Sequence, residues 1–295
     1  MPSYKTHSIH GEVILPNRRN RVEINAEDLK KYCIGPDAVM ITDPTVFEYQ
    51  HRKKVKNYFE TMLHLIKSNK LQDNSEVLAF LYGQLDHYVL DSTMHPLIYY
   101  MTENLPKKQK IDNHSLVEMW IDDYVKQKYG KDAIVYYKTA VIKDGRLGKL
   151  INKLYNKVYN TNNASLKYSV GSLLMVLFDT IVRNNLIAVV PHVEKMINTG
   201  DIVYTNDVER ELPYLNLNHD YWFNPETHEK YTESFDDLWE KSISTSLETI
   251  EDVNNYLYKD KRLKNRLISN DISYNTGLSC SKGQKLRFLK KYIKK

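Results

Sequence analysis

Apolar residues recur at intervals of three and four along most of this chain, the spacing of one face of an α-helix. The stretch "ITDPTVFEYQHRKKVKNYFETMLHLIKSN" opens with Asp43 as N-cap and Pro44 at the first helical position. Val55, Tyr58, Phe59, Met62, Leu63 and Ile66 then follow at helical intervals. "SEVLAFLYGQLDHYVLDSTM" starts at Ser75 and is apolar along its length. Pro96 disfavours helical angles at the residue before it, so this helix is expected to end or kink at His95. "SLVEMWIDDYVKQKYG" offers Ser115 and Glu118 as a capping box and stops at Gly130. "SLKYSVGSLLMVLFDTIVRNNLIAVV" predicts a buried helix from Ser165 to about Val190, and "SFDDLWEKSISTSLETIEDVNNYL" another from Ser234. No sustained alternation predicts a sheet, and "AIVYYKTAVI" reads as a strand pair or a loop. Residues 199–233, with Pro213 and Pro225, read as a long irregular connection, a length usually reserved for function or disorder. The pattern predicts an all-α fold of many helices in a single domain over residues 1–295.

Composition narrows the class. At 295 residues, 42% hydrophobic and 27% charged, the chain can bury a sizeable core. Its two cysteines, Cys33 and Cys280, make no disulfide framework. The start "MPSYKTHSIHGEV" lacks the apolar run of a signal peptide, and no segment is apolar for long enough to span a bilayer. A soluble, cytoplasmic protein is expected. The net charge of +5 is concentrated in the tail "KGQKLRFLKKYIKK", where seven Lys/Arg and no acid occur. Such a tail is a solvated helix end or a weak contact for anionic membrane. No specific nucleic-acid site is evident, and glycine-rich phosphate loops, serine-nucleophile elbows and redox cysteine pairs are lacking.

Histidine changes the picture. Seven of the ten histidines fall in the first 114 residues: His7, His10, His51, His64, His87, His95 and His114. In "GQLDHYVLDSTMHPLI", His87, Asp91 and His95 are four residues apart. On a helix each step of four turns the side chain by about 40°, so all three leave on one side. Imidazole and carboxylate are ordinary zinc ligands, and burying this trio without a metal would require a partner for every polar atom. The alternative is three separately satisfied groups. "NHSLVE" repeats the spacing with His114 and Glu118, although Glu118 also fits the capping box. "IGPDAVM" presents Asp37 on a rigid Gly-Pro turn, or simply as a turn aspartate, and His51 follows 14 residues later. "KTHSIHGE" adds His7 and His10. His64 fits ordinary packing, while His192, His219 and His228 match no ligand spacing. Asp86 and Asp122 stand beside the candidates as groups able to orient an imidazole, and Tyr221 and Trp222 fit either a substrate cleft or the core.

Taken in order, His7, Asp37, His51, His87 with Asp91, His95 beside a proline, and His114 with Glu118 resemble the bacterial zinc-dependent phospholipase C family, which is related to the single-strand-specific zinc nucleases. The resemblance covers roughly residues 1–125, and "LNLNHDYWFNPETHEKYTESFDDLWEKS" also looks like members of this group. It implies an all-helical domain with a metal cleft, residues 1–130 forming the metal-site half. Residues 131–295 would form a helical extension that can cover or narrow the cleft. It implies two or three zinc ions, although nitrogen and oxygen ligands also accept manganese or iron. By this likeness His51, His87 and Asp91 would bind one ion, and His95, His114 and Glu118 a second. Asp91 would bridge to a third ion held also by His7. Asp37, counted among the metal-contacting groups, would be the general base or the carboxylate that orients water. The activity implied is hydrolysis of a phosphodiester, with phospholipid as one candidate substrate. A nuclease of the same fold, or a metal-stabilised helical binding protein without turnover, are the alternatives. Three departures from the family pattern stand out. The chain begins Met-Pro-Ser where secreted members use a processed N-terminal tryptophan, leaving His10 or Pro2 to complete the third site. His95 precedes its proline rather than following it, and Ala38 stands where choline-preferring enzymes have an aromatic.

Overall fold

The computed structural model describes residues 4–15, 22–104, 113–129, 140–183, 213–259 and 261–280. Their helices, in chain order, are α1 (Tyr4–Ile14), α2 (Ala26–Tyr32), α3 (Pro44–Arg52), α4 (Val55–Ser68), α5 (Ser75–Asn104), α6 (Asn113–Tyr129), α7 (Arg146–Tyr159), α8 (Ala164–Arg183), α9 (Phe235–Lys259) and α10 (Arg266–Ser269). A 3-10 turn at Gly35–Val39 lies between α2 and α3. Extended structure among the described residues is a two-residue hairpin, Trp222–Phe223 against Lys230–Tyr231, and one bridge between Ile272 and Ser279. The fold is all-α, as the periodicity predicts.

Local chemistry sets several helix starts. The side chain of Asn25 accepts from the amides of Glu27 and Asp28 at the head of α2. Asp43 accepts from Val46 N at 3.3 Å, with Pro44 supplying the first helical residue of α3. At α9, Ser234 and Asp237 exchange hydrogen bonds in a capping box: Ser234 N donates to Asp237 Oδ2 at 2.8 Å, and Asp237 N donates to Ser234 Oγ at 3.2 Å.

α5 is the axis of the molecule. From Val77 to Ser92 every residue is buried, and the helix packs against α2, α6 and α9. It contributes to two apolar clusters. One gathers Tyr32, Tyr58, Phe59, Phe80 and Leu85 with α7 and the end of α9. The other gathers Leu90, Met94 and Leu97 with Val117, Trp222, Phe235 and Trp239. The change from one to the other falls between Tyr88 and Leu90, within the stretch that carries His87 and Asp91.

Four expectations are corrected. The helix read across 43–69 is two helices, because α3 stops at Arg52 and α4 begins at Val55. α5 does not end at His95 but runs through Pro96 to Asn104. The ring costs one backbone bond, to the Ser92 carbonyl, and Leu97 and Ile98 buried on the far side offset that loss. α6 starts at Asn113, so Ser115 lies inside its first turn, and Glu118 turns towards His114 instead of closing a cap. α8 is described to Arg183, and one face of it is exposed at Leu166, Val170, Leu173 and Leu177. Its buried side rests on the 3-10 turn and on residues 140–142, whose Ala140 and Ile142 amides donate to Ser172 and Ser169.

Most of "AIVYYKTAVI", residues 199–212 of the irregular connection, His192 and the basic tail lie outside the described residues. Among the described residues, no helix is long and apolar enough to cross a membrane.

Candidate metal centre

The polar seam of α5 meets three other elements. Gly35 has φ +59, and a Cβ there would lie 2.3 Å from His87 Cγ. Glycine therefore lets the 3-10 turn cross directly over the His87 ring. Pro36 stiffens that turn and Asp37 emerges from it, with its carboxylate 3.8 Å from His87 Nε2 and 3.4 Å from His51 Nε2. His51 arrives from the last turn of α3 and stands 3.9 Å from Asp91. α1 brings His7, whose ring stacks on His87 with centroids 3.9 Å apart and planes 12° from parallel. The two oxygens of Asp91 divide between these rings, Oδ1 lying 3.2 Å from His7 Nε2 and Oδ2 3.1 Å from His87 Nε2.

Further along α5, His95 reaches a second group. Its Nε2 is 3.7 Å from Glu118 Oε1, which is 2.8 Å from His114 Nε2. The rings of His95, Tyr99 and His114 lie nearly parallel, with His95–His114 centroids 5.6 Å apart and Tyr99–His114 4.7 Å. Potential ligand atoms thus fall into three sets, each within 4.8 Å: His7–His87–Asp91 and Asp37–His51–His87, which share His87, and a separate His95–His114–Glu118. Every one of the eight residues expected from the sequence lies in one of these sets. Asp37 stands with His51 and His87 in one set, and Asp91, grouped with His7 and His87 in another, also lies 3.9 Å from His51 Nε2.

The outward faces of the imidazoles are fixed by backbone. His51 Nδ1 donates to Phe47 O at 2.8 Å, His87 Nδ1 to Cys33 O at 2.9 Å and His95 Nδ1 to Tyr274 O at 2.9 Å. A carbonyl only accepts, so in its neutral form each ring is the Nδ1–H tautomer with a lone pair on Nε2. None of these three Nε2 atoms has a hydrogen-bond partner, and neither do both oxygens of Asp91, Asp37 Oδ1 and both nitrogens of His7. All these side chains are buried. Each such orphan costs about 1–3 kcal/mol if nothing occupies it. Convergent nitrogen and oxygen lone pairs with their second atoms already anchored are what a divalent cation such as zinc requires. The residues fit the ion.

Charge coupling is strong without one. Burial would lower the pKa of His87, but Asp91 and Asp37 overcome it and raise the ring to about 9. His7 is lowered, by burial and by the facing His87. Burial works against ionisation of Asp91, yet the His95, His87 and His7 rings hold it well below the usual carboxylate range. Asp37 is likewise held low by His87 and His51. In the outer group burial lowers His95 to about 4 and puts His114 well below its usual value.

Other candidates find different duties. His10 donates or accepts at both nitrogens, with Asp86 at 2.7 Å and Ser242 at 2.8 Å, so it does not complete a third site. Asp86 orients that histidine and not a ligand. Asp122 accepts from Thr6 N at 2.9 Å and Thr6 Oγ1 at 2.6 Å, which pins α1 beside His7. His64 is exposed; so is His219, which pairs with Asp237. Trp222 belongs to the second apolar cluster and Tyr221 is exposed. The site is not confined to residues 1–130, for Tyr274 contacts it, a residue to which no sequence signal pointed because its backbone makes the contact.

A cleft of about 440 Å³ opens onto the outer group. Pro44, Phe47, Glu48, His51, Arg52, His95, Tyr99, His114, Glu118 and Asn275 line it. Arg52 is the only Lys or Arg among these lining residues.

The sequence model of the family described as "Zinc dependent phospholipase C" matches residues 5–165. No curated protein and no solved structure matches the chain.

Proposed function

The chain belongs to the zinc-dependent phospholipase C family, and from that premise we propose that it hydrolyses phosphodiesters at the cleft that His51 and the outer donor set line. One observation carries the reading. Buried imidazole and carboxylate atoms of His7, Asp37, His51, His87, Asp91 and His95, left without hydrogen bonds, gather beside a cleft of about 440 Å³ that His51, His95, His114 and Glu118 line.

His87 has one free nitrogen and can serve one ion only, so the two inner sets cannot each claim it. His51, His87 and Asp91 Oδ2 would hold one zinc ion, with Asp37 beside it, and His95, His114 and Glu118 a second. His7 and Asp91 Oδ1 remain as donors for a third. Bound there, the ions would supply Lewis acidity, neutralising charge on phosphate oxygens and acidifying water at neutral pH. Asp37, kept ionised by two imidazoles, is a weak base and a strong acceptor, which suits orienting water more than storing its proton. Arg52 on the cleft wall offers a guanidinium to the anionic diester. Phospholipid is the substrate class the family implies.

The test joins metal content to turnover. Purified protein should carry two or three equivalents of zinc by elemental analysis and hydrolyse a chromogenic phosphodiester. Asp37→Asn should retain the metal and lose about 10²–10⁴-fold in kcat. Full activity after chelation, with no metal present, refutes the proposal. Faster cleavage of single-stranded DNA than of phospholipid vesicles would move it to the nuclease branch. Metal uptake with no hydrolysis of any phosphoester would leave a metal-stabilised binding protein.

A further inference from the structure

The family match ends at residue 165, yet the chain returns to the metal centre far beyond it. The return is aimed at the break between α3 and α4. In a continuous helix the His51 carbonyl would accept from Val55 N. Here it accepts from Tyr274 N at 3.1 Å and from Ser273 Oγ at 2.9 Å. Lys56 N donates to Asp271 Oδ1 at 2.7 Å. The break is thus filled by residues 271–274.

The same segment reaches across to α5. Tyr274 O accepts from His95 Nδ1 at 2.9 Å. One residue therefore touches the inner histidine with its amide and the outer histidine with its carbonyl. Its ring packs against His51, with centroids 4.9 Å apart, and against Tyr88, at 4.6 Å. The turn is itself well anchored. Gly277 N donates to Ser273 O at 3.1 Å, and Tyr88 OH donates to Ile272 O at 2.8 Å. Gly277 has φ +65, and a Cβ on it would lie 2.7 Å from Ser92 O. That carbonyl is the one Pro96 deprives of its helical amide, so the turn seats on the flaw in α5.

We propose that the turn Ile272–Cys280 is a built-in part of the metal centre, with Tyr274 as its positioning residue. The Tyr274 carbonyl holds His95 in the Nδ1–H tautomer and turns Nε2 towards Glu118 and His114. The role rests on reading these histidines as metal ligands. Partners that orient a ligating imidazole are worth about 10- to 100-fold in metal affinity.

The test compares the full-length wild type with Gly277→Ala, whose methyl group collides with the Ser92 carbonyl and lifts the turn. Zinc affinity is read by competition with a chromophoric chelator, and folding by far-UV circular dichroism. With the helical signal unchanged, the outer ion should bind about 10- to 100-fold more weakly while the inner ion stays. Equal affinity for every ion in wild type and variant, with only thermal stability lowered, would overturn the positioning role and leave the metal centre intact. A wild type that takes up no zinc overturns both. Should Gly277→Ala not fold, ¹⁵N-detected NMR of the metal-free wild type decides. His95 protonated on Nδ1 supports the role, and His95 protonated on Nε2 overturns it.

Discussion

The inner and outer donor groups use the same residue types and differ in what surrounds them. His7, Asp37, His51, His87 and Asp91 lie between two apolar clusters, with exposures of 3% or less. Their supports come from α1, α2, the 3-10 turn and α3, within the family match, and for His51 also from Ser273 and Tyr274 beyond it. His95, His114 and Glu118 face the cleft, and the His114 side chain is 17% exposed. Their support comes from a π-stacked tyrosine and from a turn near the end of the chain. The difference is one of access at a single residue: His95 and Glu118 are as buried as the inner group, at 2% and 3%, and His114 is the member that opens to solvent.

That contrast is broken most severely at Asp91, whose two oxygens serve His7 and His87 on opposite sides. Asp91→Asn removes the shared charge and leaves buried imidazoles facing an amide. Hydrolysis should fall about a thousandfold or more, with the inner zinc lost in elemental analysis. If the variant keeps full metal and turnover, the inner group is not the catalytic one. A milder break is His114→Ala. The outer ion should weaken by more than the roughly 10- to 100-fold expected for loss of an orienting partner, while inner metal content and the helical signal stay at wild-type levels. Loss of both ions together would show that the two groups act as one, and the comparison would fail.

Much of this arrangement is legible in the sequence, and the illegible part has a common cause. Helix starts at Asp43–Pro44 and Ser234 are written in capping chemistry, which acts within a few residues. The spacing His87-x3-Asp91-x3-His95 survives because α5 stays helical where those side chains leave it. Asp37 is readable because a Gly-Pro turn has few shapes. What is not readable acts over long range or through backbone. The stop between α3 and α4 has no breaker residue; it exists because residues 271–274 occupy it. Pro96 looks like a helix end, but apolar burial on both sides outweighs one lost hydrogen bond. His10 looks like a ligand until Asp86 and Ser242 take both its nitrogens, and Ser242 is far away in sequence.

The smallest expected effect, and the one that isolates His95 by its proton chemistry, is the pH dependence of stability after chelation. In the metal-free protein Asp37 and Asp91 have lowered pKa values, so their contribution is present above about pH 4, the unfolded value, and fades only below it. His87, raised to about 9, contributes fully below about pH 6.5 and loses that contribution as pH climbs through 9. Both trends leave these three groups steady from pH 7 to 5. Histidines with lowered values behave oppositely: His7 of the inner group, lowered by burial and by the facing His87, and His95 and His114 of the outer group. Burial lowers His95 to about 4, so below pH 6.5 the unfolded chain takes up a proton that the folded chain refuses. Stability should therefore fall by about 1.4 kcal/mol per pH unit for that one proton between pH 6.5 and 4. Thermal melts of chelated wild type from pH 7 to 5 should show this decline, and the decline should shrink in chelated His95→Gln, which has nothing to titrate. A flat profile in the wild type would mean that His95 accepts its proton in place, and that the outer group is as well supplied with counter-charge as the inner one.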